Sequence, residues 1–336
     1  REALAAYDHC AARLGPACPG AVWSLLLYCA TEAGEFTRCE ELFDSLCRTS
    51  TPSGHDLLNM VRFHARGGDL PGLEVTLAAL HGLGCKVDNL SRNRALAACT
   101  AAGALDLAEA VARADACFEA LDAVAYNTLI KGYAHARRPQ RCFALYAEMT
   151  SAGVAPTEMT FGILLDVCNS SRDLERARAL FADLRGSGLC LNVVHYTTFM
   201  KGLAAAGHLA DAAELLRAMC LSRETEPDLI TYSMLVKAHA DRGEVAGAME
   251  VLRRMLRQGV RADAVVLNMV LSGCAAAETP APEVLRVLEA LRQEGLQPST
   301  VTLSILVKAM AATGSWADAL EALEAAPERL GLWPEA

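Results

Sequence analysis

Short amide and hydroxyl side chains recur in this chain where a helix would ordinarily carry alanine, leucine or a long charged residue. Asn93, Asn127, Gly162, Thr197, Ser233, Asn268 and Ser304 follow one another at intervals of 34 to 36 residues, and Ser24 and Leu58 extend the series towards the start. Asn, Ser and Thr are mediocre in helix interiors because they lose side-chain freedom or compete for backbone hydrogen bonds. Their recurrence points to a ligand that needs hydrogen bonds, and the alternative is a polar edge on the core stripe. Four residues beyond members of this row stand Arg62, Lys131, Lys201, Lys237 and Lys308. One turn along a helix puts them on roughly the same face, as a basic ladder suited to phosphates or as a solvated surface.

Other chemistry is poorly supported. The eight histidines (9, 55, 64, 81, 135, 195, 208 and 239) have no companions at metal-ligand spacing. Gly-rich phosphate loops and the Gly-x-Ser-x-Gly elbow are absent from the sequence, so no cofactor and no metal is expected. The 13 cysteines form no CxxC pair. Cys99, Cys168 and Cys274 share one repeat position and Cys39 and Cys142 another, which reads as reduced thiols packed as small apolar groups.

The elements that position these rows are helices. Tyr126, Leu129, Ile130 and Tyr133 have the i, i+3, i+4, i+7 spacing of one apolar stripe, and so do Tyr196, Phe199, Met200, Leu203 and Leu303, Leu306, Val307, Met310. A small break follows, such as Ala206-Gly207-His208, Arg242-Gly243-Glu244 or Thr313-Gly314-Ser315, and then a second amphipathic run. Ser315 with Asp318 resembles a capping box, and Thr279 before Pro280 reads as a helix start. Second helices end at Gly153, Gly188, Gly259 or Gly295, where a left-handed cap residue is easily placed. Each unit is a helical hairpin, and a period of this length marks a solenoid. Residues 1–19 read as the second helix of a truncated repeat, 20–122 as three divergent hairpins, and 123–336 as six clear ones.

The formal charge of −9 argues against a nonspecific polycation, although the acidic residues concentrate on second helices and leave room for a basic face. The longest nearly uncharged stretch, 262–277, is too short and too interrupted by polar residues for a membrane span. No membrane partner is expected.

The strings AYNTLIKGYAHA, HYTTFMKGLAAAGHLADAAELLRAM and TYSMLVKAHADRGEVAGAMEVLRRMLRQGVRAD resemble pentatricopeptide repeats, strongly from residue 123 to about 325 and more loosely over 20–122. The related tetratricopeptide pattern prefers a Trp and a Gly in the first helix, and these units lack both. The resemblance implies an all-α, right-handed superhelical solenoid of about nine hairpins. It also implies a single-stranded RNA partner recognised at about one base per repeat, alongside other RNA-processing proteins. It pairs each polar first-helix residue with the last residue of its unit for base reading: Asn93 with Asp122, Asn127 with Thr157, Gly162 with Asn192, Thr197 with Asp228, Ser233 with Asp263, Asn268 with Ser299, and Ser304 with Glu335. It makes Leu90, Val124, Met159, Val194, Ile230, Val265 and Val301 the residues that flank each base, a row equally consistent with helix packing.

By the family's code, Asn with Asp favours uracil, Thr or Ser with Asp favours guanine, and Asn with Ser favours cytosine, giving a U-Y-N-G-G-C core. Gly162 and Leu58 have nothing to read with, so selectivity should concentrate in the central and C-terminal units. The resemblance further implies a mitochondrial or chloroplast address and a non-catalytic role in RNA processing, stability, editing or translation. The deaminase and ribonuclease signatures found in some members do not occur in this sequence. A protein-binding scaffold that uses the same surface is the competing function.

Overall fold

A computed structural model describes residues 19–83, 89–114, 120–221 and 225–314, together with residues 317, 320 and 324. The truncated first repeat, the Ser315–Asp318 capping box and Glu335 lie outside the described residues. Two compact units, 1–167 and 168–336, divide the chain within one helix.

The first unit holds α1 (Gly20–Ala33), α2 (Cys39–Thr49), α3 (Gly54–Gly67), α4 (Leu70–Gly82), α5 (Asn89–Ala101), α6 (Leu105–Arg113), α7 (Ala123–His135), α8 (Pro139–Ser151) and most of α9 (Glu158–Ser171). The second holds the end of α9, then α10 (Leu174–Gly186), α11 (Val193–Ala205), α12 (Leu209–Leu221), α13 (Leu229–Asp241), α14 (Val245–Arg257), α15 (Ala264–Ala276), α16 (Ala281–Gln293) and α17 (Thr300–Ala312). No strand occurs among the described residues. Odd-numbered helices are first helices of hairpins and even-numbered ones are second helices. In the first unit α1, α3, α5 and α7 pack in succession, each against its own second helix; in the second unit α11, α13, α15 and α17 pack in succession, the first three each against its own second helix. Both units are therefore stacked helical hairpins.

The apolar stripes supply the core. Leu129, Ile130, Phe199, Met200, Leu203, Leu306 and Met310 are buried, as are Leu145, Met149, Leu180 and Leu184 of the second helices. The turn within hairpins and the step between them both use left-handed glycines, among them Gly207 (φ 84°) and Gly259 (φ 76°), a conformation costly for any residue with a Cβ. One boundary differs from expectation. α16 starts at Ala281 with Pro280 in the cap place and no side-chain cap, because proline has no polar side chain to accept from the first turn.

The divergent early units form hairpins too, with Trp23, Leu57 and Arg92 where later units carry Tyr, Phe or Leu. Arg92 is fully buried and donates to the carbonyls of Val111 and Ala112 at the end of α6. A guanidinium there meets carbonyls of the last helical turn and the negative end of the helix dipole.

Candidate nucleic-acid interface

The last residue of six of the expected units stands at the cap of the next hairpin. Asp122, Asn192, Asp228, Asp263 and Ser299 are the N-caps of α7, α11, α13, α15 and α17, and Thr157 stands in the same place before α9. Their side chains accept from the backbone N–H three residues on, at 2.8 Å for Ala125 and Thr231, 3.0 Å for Val266 and 3.1 Å for His195. The two hydroxyl caps make longer contacts of 3.4 Å, Thr157 to Thr160 and Ser299 to Thr302. The capping bond satisfies an orphan donor and leaves each side chain at the mouth of the junction between hairpins.

The polar row meets these caps from the preceding first helix. Asn93 donates its amide to both Asp122 oxygens, at 3.2 and 3.1 Å. Asn127 donates to the Thr157 hydroxyl at 2.9 Å. Two further pairs are joined through the N3 residue of the following helix. Thr197 contacts the Thr231 hydroxyl at 3.1 Å, and Thr231 donates to Asp228 at 2.7 Å. Thr302 donates to the Asn268 amide oxygen at 2.7 Å and contacts Ser299 at 3.2 Å. Ser233 instead donates to the Leu229 carbonyl of its own helix at 2.6 Å, and no bond joins it to Asp263. Among the described residues Ser304 reaches the Thr300 carbonyl, at 3.5 Å. Gly162 contributes no side chain, and Asn192 is held in a reciprocal capping box with His195.

Sequence reasoning missed the N3 residues. Their signal was legible: a hydroxyl directly before the aromatic or leucine marker, in Thr160-Phe161, Thr231-Tyr232 and Thr302-Leu303.

The flanking row does not pack in the core. Leu90, Val124, Met159, Val194, Ile230, Val265 and Val301 are 55% to 68% exposed, each at the second residue of a first helix. Side chains at this place lie in the first turn, two residues before the apolar stripe begins. Apolar side chains scattered singly on a surface need no explanation, but a row at one repeat position does.

Lys131, Lys201, Lys237 and Lys308 are exposed and make no ion pair among the described residues. Arg62 departs from the ladder: it is held by Glu32 at 2.8 Å. Asp166 occupies the corresponding place in α9.

No group of three or more His, Cys, Asp or Glu among the described residues could hold a metal. Burial raises the thiols of Cys39, Cys142 and Cys274 to about 11 and those of Cys99 and Cys168 to about 12, so these cysteines are inert packing groups. On the second-helix side of the first unit, a cleft of about 440 Å³ is lined by Glu109, Arg141 and Glu148. There Tyr133 and Arg141 donate to Glu109 at 2.5 and 2.7 Å. Burial favours the neutral form of this carboxyl, but the bonds from Tyr133 and Arg141 outweigh it and hold Glu109 below the usual range. Burial and the Glu109 bond push Tyr133 up to about 12. This network ties consecutive hairpins α5/α6 and α7/α8 together on the side away from the polar row.

Stacked hairpins with one polar and apolar row at their junctions define a helical repeat protein of the solenoid class. Three family models match it: "PPR repeat family" over residues 121–170, "PPR repeat" over 159–189, and "Pentatricopeptide repeat-containing protein" over 187–326. Together these matches span residues 121–326, and the repeats of that stretch are pentatricopeptide repeats.

It is similar to a putative mitochondrial pentatricopeptide repeat-containing protein of Arabidopsis thaliana, 31% identical over 29% of this chain and 14% of that protein. A chloroplastic relative from the same plant is 32% identical over 32% of this chain and 14% of its own length. Among solved structures, maize pentatricopeptide repeat protein PPR10 is similar in fold, with a TM-score of 0.68 at 23% identity over 93% of this chain and 45% of that one. The same protein in complex with an 18-nucleotide psaJ RNA element gives a TM-score of 0.58 at 19% identity, over 98% of this chain and 47% of that chain. The chain thus spans under half of PPR10 and about a seventh of these two curated relatives. No helix among the described residues is long and apolar enough to cross a membrane.

Proposed function

We propose that this chain binds single-stranded RNA, with each base entering a junction between consecutive hairpins. The observation that carries this reading is the exposed aliphatic row. Seven apolar side chains stand uncovered at one repeat position, three residues before the polar row. A flat base needs that combination, an apolar contact for its face and hydrogen-bonding groups for its edge. The base-reading groups are Asn93 with Asp122, Asn127 with Thr157, Thr197 with Asp228, Ser233 with Asp263 and Asn268 with Ser299. Ser304 is a further member, and Gly162 has no side chain with which to select a base. Lys131, Lys201, Lys237 and Lys308 meet phosphates, and Arg62 does so only by giving up Glu32.

The array acts without catalysis of its own, by occupying RNA so that it is protected, kept unfolded or presented to other RNA-processing proteins. The relatives named for mitochondria and chloroplasts support an organellar role in RNA processing, stability, editing or translation.

The test is binding of the purified chain to short single-stranded RNAs with a U-Y-N-G-G-C core, at several salt concentrations. Four neutralised phosphates give a logarithmic slope of roughly −3. A slope near zero, or no binding to any RNA, would favour a peptide on the same aliphatic row and overturn the RNA reading.

A further inference from the structure

An asparagine amide shows a base either its oxygen or its N–H, and the structure holds these amides in two different ways. At Asn268 the oxygen is taken by the Thr302 hydroxyl at 2.7 Å. At Asn127 the oxygen is taken by the Thr160 hydroxyl, also at 2.7 Å. In both junctions the cap is itself a hydroxyl, Ser299 or Thr157, and the N3 threonine gives its proton to the amide. The N–H groups not already used then remain as the free donors. At Asn93 the arrangement reverses. The N3 residue is Ala125, the amide N–H side is held by Asp122, and the amide oxygen is buried with no partner among the described residues. The unused group there is an acceptor.

Where a threonine faces an acidic cap, its proton goes to the carboxylate instead, as Thr231 donates to Asp228 at 2.7 Å. The N3 residue and the cap therefore act together in setting the polarity of the side chain that precedes them.

Resting on the RNA reading above, we infer that the N3 residue of each hairpin is a positioning residue for the base read by the hairpin before it. Thr160 and Thr302 turn Asn127 and Asn268 so that they offer a donor, which suits cytosine, whose N3 accepts. Asn93, whose amide N–H groups are held by Asp122, has no such donor to offer. This narrows the Asn127 junction from either pyrimidine to cytosine.

The experiment measures binding to RNA pairs that differ only by C or U opposite Asn268, and separately opposite Asn127, for the wild-type chain and for Thr302→Val and Thr160→Val. Valine keeps the shape and removes the hydroxyl. The chain already carries Val266 at N3 of α15, where the helix and its cap are intact. Wild type should prefer C by about tenfold at both positions. Each variant should bring that ratio to within about twofold of unity at its own position only, with the other position and the salt slope unchanged. A variant that weakens C and U equally would make the threonine merely structural and overturn the inference. So would an unchanged ratio in Thr302→Val alongside a collapsed one in Asn268→Ala, a result that leaves the RNA reading intact. A wild-type chain blind to bases at every position would overturn the base-reading assignments and this inference together.

Discussion

A threonine and an asparagine at one repeat position meet their caps differently, and that difference is open to test. Thr197 bonds its own backbone and Thr231, leaving more room at its junction than an amide would. Thr197→Asn should move the preference at that base from guanine to uracil by roughly tenfold, about 1.4 kcal/mol, in competition binding with RNAs differing at that nucleotide. The buried thiols give a second prediction. With values of about 11 to 12, Cys39, Cys99, Cys142, Cys168 and Cys274 stay unmodified by an alkylating reagent at pH 8 in the folded chain, while exposed Cys190 reacts. Peptide mapping after a short pulse checks both halves, and labelling of Cys99 at the rate of Cys190 would mean the first helices are not packed as described.

First helices stack closely enough to need small residues at the contact. A Cβ on Gly273 of α15 would stand 2.9 Å from the Ala240 Cα of α13, a backbone atom with nowhere to go. Gly273→Val should cost about 1–3 kcal/mol in denaturant unfolding, since overpacking a rigid contact displaces the backbone. The Glu109 network joins hairpins on the opposite side. Its carboxyl is held below its unfolded value, so its contribution is present above the unfolded pKa and fades as pH falls through the folded one. Glu109→Gln should be less stable than wild type by about 2 kcal/mol at pH 7, and the gap should close as acidification protonates the folded-state carboxyl. A gap that does not change with pH would mean the bonds do not depend on the charge.

The hairpins were legible because two signals agree, the apolar stripe of Tyr126, Leu129, Ile130 and Tyr133 and the left-handed glycines between helices. The two rows of the site were also legible by spacing. Less so was their state. Periodicity alone could not say whether Val124 or Ile230 faced core or solvent, because both lie within a turn of the stripe. Nor could it show that Arg62 is held by Glu32, a contact between helices 30 residues apart. Arg92 was hidden because a charge at an apolar position is explained only by the carbonyls it meets.

At the scale of the whole molecule, an acidic chain of charge −9 presents exposed lysines at one repeat position of its first helices. Such an arrangement lowers nonspecific attraction to polyanions while keeping local attraction where phosphates would pass. Replacing Lys131, Lys201, Lys237 and Lys308 together by Gln should flatten the salt slope towards zero and weaken all RNAs alike, with base preferences retained, as read by salt titration of matched and mismatched RNAs. Retention of the full slope would place the phosphate contacts elsewhere.

The capping geometry bears on how such arrays can be recombined. A hairpin cut at its helix starts keeps its cap but leaves behind the N3 hydroxyl that orients its own asparagine, so a transplanted module arrives without its full setting. Cut instead just before the aromatic or leucine marker, between Thr160 and Phe161 or between Thr302 and Leu303, each segment carries amide, cap and hydroxyl as one heritable block. The working module of this chain is therefore offset from its helical hairpin by three residues, and chimaeras joined at the offset boundary should keep the preferences of both parents.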